Sequence, residues 1–524
     1  MLFTKRAALA ALCALSASAA SAQTKTLDGI QNMHRTAVSP IYAGNEVKGY
    51  LMFGRGDKAD RKNDNYLLDF YDQDLGKVSN VTIQKPAGRY SLVSNTFNGS
   101  AFAFYFLNSK DGTLEMETYD TGLKKIGNKV IEEISKADKM MIATQMKGQE
   151  TNGGMMGNGM TLFPVPGMGF VRNSYTGMAK GYSMVLYDNN LKPKWRVASD
   201  EKSKFYETLG LTEAVDKYVL GIKMQRDGML SRKYTATMVA IDATTGKTVF
   251  DMPVETSKTE QLSLSSFTFD PATREFVAVG EYYRLDDKPF VNKSQGFYIK
   301  RFTEAGKLIG GKNFGWQKEV MAIMPSEARP SLEDNYVNYA HSIVKGSNGK
   351  IYIVAEQFKI VGDGLGIALT ALGGRGASVS KGKVGNMFVF EVDPQANLTA
   401  VKFYAKDPSN ASLPEGSGFM SAGILGHIMK AQGNFDYQFM QKNDANSQFN
   451  VVYINFDKEK GEDTKKVVGN IAFGDNGKYA VDKIDLTSGS TFSYVYPAKP
   501  GYVMVADYYR KKSQLGMKLV KLNI

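Results

Sequence analysis

The stretch Tyr66-Leu67-Leu68-Asp69-Phe70-Tyr71-Asp72-Gln73-Asp74-Leu75 recurs at Leu114-Glu115-Met116-Glu117-Thr118-Tyr119-Asp120, with Leu123 three places on. It recurs again at Tyr182-Ser183-Met184-Val185-Leu186-Tyr187-Asp188, with Leu191 three places on. Each copy alternates apolar and polar residues as a half-buried strand does, then meets an Asp whose carboxylate can accept backbone N–H bonds just ahead. The phrase therefore reads as strand, Asp-closed turn, next strand. Looser copies end at Ile241-Asp242, Phe302-Thr303, Val392-Asp393 and Phe473-Gly474-Asp475. The Asp is expected to serve the turn rather than a ligand.

A second phrase precedes each of these: two apolar strands joined by a short polar or Gly/Pro turn. Such turns fall at Tyr42 to Gly49, Phe97 to Ser100, Pro166 to Gly169, Glu213 to Lys217, Asp270 to Glu275, Lys345 to Lys350, Lys442 to Ser447 and Pro497 to Pro500. Eight hairpins result, each followed by a third strand and seven of them by a fourth. The last third strand is Met517 to Leu522. Four-stranded units of about 63 residues repeated in series describe an all-β β-propeller of eight blades, with seven as the alternative count. The missing fourth strand of the last blade is expected from the N-terminal stretch Thr24 to Met33, which would close the ring and remove open edges. Helical periodicity is confined to hints near Val130 to Met140 and Ile367 to Leu372.

On these phrases the chain resembles the secreted bacterial β-propeller repeat proteins, including families of unknown function. It lacks the Trp-Asp signature of WD40 blades, the double glycine of kelch blades and the aspartate box of sialidases. The resemblance implies a fold and transfers no functional residue.

Composition agrees with a globular β protein. The 524 residues are 43% hydrophobic and 23% charged, with 28 Tyr, 29 Phe, 52 Gly and 15 Pro. Residues 1–22 have the three parts of a cleavable export signal: Lys5 and Arg6, the apolar run Ala7 to Leu15, and Ala20-Ser21-Ala22. Export to the periplasm, cell surface or medium is expected, with residues 23–524 forming a single propeller domain. No later stretch approaches the roughly 20 apolar residues that a spanning helix needs. The one cysteine, Cys13, lies in that signal, so disulfides, thiolate metal sites and thiol nucleophiles are not expected in the mature chain.

The chain carries 65 Lys+Arg against 53 Asp+Glu, a net charge of +12. The cations are scattered in small groups such as Lys192, Lys194 and Arg196, which argues against a nucleic-acid stripe and for anionic partners: an acidic glycan, a lipid headgroup or an envelope protein. Three histidines, His34, His341 and His427, stand far apart without zinc spacing. Asp57, Asp60, Asp64 and Asn65 miss the EF-hand order. Gly362, Gly364 and Gly366 lack the Gly-Lys-Ser/Thr of a phosphate loop, and Met155, Met156, Met160 and Met168 have no His or Cys to assist in copper binding. No metal or cofactor is expected, and no catalytic residue is assigned.

In a propeller the loops joining strands two and three, and those joining one blade to the next, share a face. The insertions Phe53 to Asn65, Arg284 to Phe290, Val361 to Val384 and Thr151 to Met160 fall there, where binding residues usually reside. Ligand-binding positions are therefore expected at Arg55, Arg284, Arg375, Lys381 and Lys383, with His341 on an innermost strand below them. The expected function is a non-enzymatic binding scaffold. The alternative is a hydrolase or lyase acting on an acidic glycan through carboxylates such as Glu281 or Glu356.

Overall fold

The computed structural model describes residues 24–30, 38–43, 46–136, 139, 162–173, 181–228, 235–254, 259–287, 292–333, 336–346, 348–362, 380–413, 422–443, 448–457, 465–474, 479–486 and 489–522. They form eight antiparallel sheets in series, each of four strands, with a short fifth strand added to the sixth. The protein is an eight-bladed β-propeller. Blade 1 runs from Val38 to Pro86, blade 2 from Tyr90 to Glu133, blade 3 from Leu162 to Ala198 and blade 4 from Tyr206 to Pro253. Blade 5 runs from Glu260 to Gly315, blade 6 from Val337 to Ser412, and blade 7 from Tyr437 to Asp485. Blade 8 takes Phe492–Pro497, Tyr502–Tyr509 and Gln514–Lys521 from the C-terminal end. Its outer strand, Thr24–Leu27, lies antiparallel on Gln514–Lys521, with Thr24 opposite Lys518 and Leu27 opposite Leu515. The closure continues where Ile30 N–H donates to the Ser513 carbonyl at 2.9 Å and the Tyr508 hydroxyl donates to the Ile30 carbonyl at 3.1 Å.

First strands of neighbouring blades touch one another around the centre, second strands are buried, and fourth strands face solvent. The two faces of each blade pack on two different neighbours. In Ala101–Asn108 of blade 2, Ala101, Ala103, Tyr105 and Leu107 join a cluster with Phe170 and Leu191 of blade 3. The alternate residues Phe102, Phe104 and Phe106 join Phe53 and Tyr66 of blade 1. Clusters of this kind occupy all eight junctions, including Val47, Tyr50 and Tyr71 of blade 1 against Met504, Tyr508 and Leu515 of blade 8. The strand period of two thus supplies both faces at once.

The repeated Tyr-Asp phrases occupy the turn from third to fourth strand in blades 1, 2 and 3. Asp72 Oδ1 accepts from the Asp74 and Gly76 amides at 2.9 and 2.8 Å. Asp120 and Asp188 accept from the Lys124 and Lys192 amides at 2.9 Å. The Leu three places on adopts φ of 62°, 64° and 60° at Leu75, Leu123 and Leu191. A non-glycine residue there costs about 1–2 kcal/mol. All three side chains are buried in junction clusters, a gain of roughly 1.5–3 kcal/mol that offsets it. Of the two helical hints, Val130 to Met140 divides: Val130 belongs to the strand Lys125–Glu133, where it pairs with Glu115, while Lys136 and Lys139 are helical, the Lys139 amide donating to the Ser135 carbonyl at 3.0 Å. The other, Ile367 to Leu372, lies outside the described residues.

Blades 5, 6 and 7 are also latched by buried carboxylates at matching positions. Glu281 stands opposite Ser263 and Glu356 opposite Tyr339, each just beyond a bulge in the first strand. Glu281 Oε1 accepts the Asn338 amide of blade 6 at 2.8 Å, and Glu356 Oε2 accepts the Tyr437 amide of blade 7 at 3.2 Å. Burial pushes the Glu281 carboxyl up from its ordinary 4.5 to about 7, against hydrogen bonds from Asn338, Tyr283 and Ser294.

Two outcomes follow from these packings. Leu123→Ala loses buried volume and keeps the left-handed backbone, so chemical denaturation should show a loss of about 3 kcal/mol. Leu123→Gly should lose roughly 1 kcal/mol less, reversing the usual strand order in which glycine is worse. Equal or reversed losses would show that the left-handed conformation carries no strain. For Glu281, a folded-state value above the unfolded one means that the native protein holds the extra proton. Its stability contribution is complete below about pH 4.5 and is lost as pH rises through 7, roughly 3 kcal/mol in all. Glu281→Gln keeps an acceptor without the titration, so its stability relative to wild type should climb between pH 5 and 8. A pH-independent difference would rule out the raised carboxyl.

Candidate functional site

The segment between the last strand of blade 6 and the first of blade 7 contains a helix, α1, spanning Ala422–Ala431. Ala, Leu, Ile, Met and Lys favour helix. The end is set by Gly433 at φ 67°, with the Asn434 amide donating to the Met429 carbonyl at 2.9 Å and the Gly433 amide to that of Lys430 at 3.0 Å, a Schellman closure. Two glycines let α1 lie directly on the first strands of blades 5 and 6. A Cβ on Gly423 would strike the Leu264 carbonyl oxygen, and one on Gly426 would strike the Tyr339 ring. The Gly423 amide donates to Ser263 Oγ at 2.8 Å. Ala422, Leu425 and Met429 pack with Tyr339, Phe358 and Phe435, so the helix is an integral plug in the channel.

Beside α1 the channel keeps a cavity of about 410 Å³, walled by the first strands of blades 4, 5 and 6 and touched by Met440 of blade 7. Its walls sit at three β-bulges. The extra residues are Thr212, Ser265 and His341, each without a partner across the ladder, and all three line the cavity. A bulge turns a side chain out of the regular alternation and bends its strand, here opening space at the centre.

Four ionisable groups line this space. The Lys430 ammonium donates to the His341 carbonyl at 2.6 Å, and the Thr268 hydroxyl donates to Glu213 Oε2 at 2.6 Å. Lys430 is solvent-accessible through the cavity, although protein surrounds it on most sides. Desolvation draws its ammonium down to about 8 despite attraction from Glu213, and the same desolvation raises the Glu213 carboxyl. Glu213 and Lys430 make no direct ion pair; among the described residues each holds its own polar anchor instead. Both cavity histidines are neutral, because burial lowers His341 to about 4 and His427 to about 3. The Tyr339 hydroxyl therefore donates to His427 Nδ1 at 2.8 Å. The His341 ring stacks on Tyr437 at 4.4 Å and its Nε2 donates to Glu356 Oε2 at 3.1 Å, which leaves Nδ1 as a buried acceptor without a partner.

Behind His341 lies a closed ionic cluster. Lys406 reaches Glu356 Oε1 at 2.5 Å and also pairs with Asp436, which accepts from Ser409 Oγ at 2.7 Å. Burial opposes charge on Glu356, but Lys406 and His341 hold its carboxyl below the ordinary range. Neither Glu281 nor Glu356 lines the cavity; each is spent on the next blade.

Of the positions read from sequence, His341 reaches the cavity. Arg55 lies on the second strand of blade 1, where it pairs with buried Asp64 at 2.9 Å. Arg284 ends the second strand of blade 5 and is exposed. Lys381 and Lys383 sit on the third strand of blade 6, opposite Ser412 and Asn410 of the added strand. These four do not line the cavity, and Arg375 lies outside the described residues, as do residues 1–23 and Thr151 to Met160. The insertion in blade 1 is a lengthened hairpin whose turn is capped by Asp60, its carboxylate accepting from the Asn63 amide at 2.8 Å. No cluster of three His, Cys, Asp or Glu residues placed to hold a metal occurs among the described residues. None of the helices described is long and apolar enough to cross a membrane. Lys430 and Glu213 were missed by sequence reading. Lys430 did carry a signal, as the one Lys, Arg, Asp or Glu in the apolar stretch Ala422 to Ala431.

Among solved structures, the chain is similar to the dihydro-heme d1 dehydrogenase NirN (10% identity, 95% of this chain and 76% of that one, TM-score 0.42). It is also similar to a europium-containing methanol dehydrogenase (13%, 83% and 81%, 0.37) and to the β-propeller domain of the Trilobed protease from Pyrococcus furiosus (8%, 86% and 95%, 0.33). At these identities and scores the likeness transfers no ligand, residue or reaction. No curated protein matches the chain at a significant level. A family model does match, over residues 3–523, and the chain belongs to that family, the family of unknown function DUF6770.

Proposed function

We propose that this propeller is an exported, non-enzymatic binding scaffold that takes a small anionic group in its channel cavity, such as a uronic acid unit of a glycan or a lipid headgroup phosphate. The observation that carries the reading is Lys430, a solvent-accessible ammonium lining the cavity with a single carbonyl partner at 2.6 Å. A carboxylate or phosphate placed there would replace water with a charge-assisted bond in a setting of low dielectric. The hydroxyls of Thr212, Ser265 and Ser342 supply further polar contacts for a sugar or phosphate. Binding is favoured over hydrolysis or lysis because the two carboxylates proposed for catalysis, Glu281 and Glu356, are engaged by backbone amides of neighbouring blades. Export rests on residues 1–22, whose removal would leave Gln23 as the mature N-terminus.

Calorimetry with glucuronate and with glycerol phosphate tests the site. At least one should bind wild type, and Lys430→Met should weaken it tenfold or more. The charged groups facing Lys430 are Glu213, His341 and His427, and both histidines are neutral across the range. Affinity should hold below pH 8 and fall about tenfold per unit above it, as the ammonium loses its proton. Anion binding that ignores both the substitution and the pH would move the ligand elsewhere. N-terminal sequencing of protein recovered from outside the cytoplasm should read from Gln23; an intact Met1 would refute export by this route.

A further inference from the structure

Glu213 and Lys430 face one cavity from different walls, blade 4 and α1. Their attraction is felt across the space, but each is tied to its own anchor, Thr268 for the carboxyl and the His341 carbonyl for the ammonium. Glu213 Oε1 and the remaining protons of Lys430 have no protein partner among the described residues. Opposite charges that line one cavity without meeting each other are placed to take complementary groups of a single ligand. The two neutral histidines add no charge of their own, so the lining carries one acid and one base. A simple anion would answer the base and leave the acid as a like-charged neighbour.

We propose that the channel cavity binds a zwitterionic small molecule, its anionic group on Lys430 and its ammonium group on Glu213. This rests on the anion-binding reading of Lys430 and adds a second pole to it. The bulge residues Thr212 and Ser265 and the apolar Phe267 and Met440 line the space around and between these poles, suited to a short polar or aliphatic backbone. The chemical class is that of amino acids, amino-sugar acids and headgroups carrying both an amine and an acid.

Calorimetry with matched probes separates the two claims. β-Alanine, 4-aminobutyrate and 6-aminohexanoate set their two charges at three different separations; propionate, butyrate and hexanoate lack the ammonium. One amino acid should bind wild type at least tenfold tighter than its carboxylate of equal length. Glu213→Gln should abolish that advantage without weakening the carboxylate, and Lys430→Met should weaken both. Glu213→Ala provides the same readout should Glu213→Gln fail to fold. Carboxylates that bind as tightly as their amino acids, or an advantage that survives Glu213→Gln, would overturn the second pole and leave the anion site standing. Absence of binding by either series, with Lys430→Met no different from wild type, would overturn both.

Discussion

Every blade of this protein is apolar on both faces, and that single constraint organises the rest. A four-stranded sheet with Ala101, Ala103, Tyr105 and Leu107 on one side and Phe102, Phe104 and Phe106 on the other has no solvent face. It must be covered twice, which only a stack of like sheets provides, and a twisted stack ends when its last sheet meets its first. Junction eight, where blade 8 packs on blade 1, is therefore not an addition to the fold but its condition. Thr24–Leu27 adds the backbone half of that condition by pairing an edge that would otherwise remain open.

Most apolar residues are used between blades, and the channel cavity is lined by polar side chains together with apolar ones such as Phe267 and Met440. First strands have one regular alternation to give, and it is used for packing. Bulges break it in the first strands of blades 2, 4, 5, 6 and 7, and the extra residues Thr212, Ser265 and His341 of blades 4, 5 and 6 border the cavity. α1 packs beside that space. The two close approaches at Gly423 and Gly426 seat the helix deep enough for Lys430 to reach the His341 carbonyl.

What was legible in the sequence was whatever repeats. The Asp turns, the hairpins and the count of eight came from local chemistry that each blade must restate, and the left-handed Leu75, Leu123 and Leu191 are part of that restatement. The site is the opposite case. Its walls come from residues more than 200 positions apart, Glu213 and Lys430 among them, and a bulge leaves no mark in a strand's pattern. The glycines of α1 read as turn residues, although their role is to admit neighbouring atoms. Long loops drew attention to Arg55 and Arg284, yet Arg55 is engaged by Asp64 in a lengthened hairpin. His341 was visible as a histidine on an inner strand; its ring turned out to be packed, and its carbonyl is the group that holds the site's cation.

The ionic cluster behind His341 gives that cation its meaning. Within the same blade junction, Lys406 is buried as completely as a lysine can be, and two carboxylates meet it directly, with Ser409, Tyr437 and His341 completing their shells. There the fold does what stability requires of buried charge: every partner is brought to contact, and the unit ties blade 6 to blade 7. Lys430, exposed, and Glu213, half-buried, line the open cavity instead, and the chain anchors them apart on neutral partners. A scaffold that closes one lysine on two acids and holds another open across a cavity from its acid is using the second pair differently. Opposite charges left unpaired across one open cavity are placed for a ligand that carries both complements.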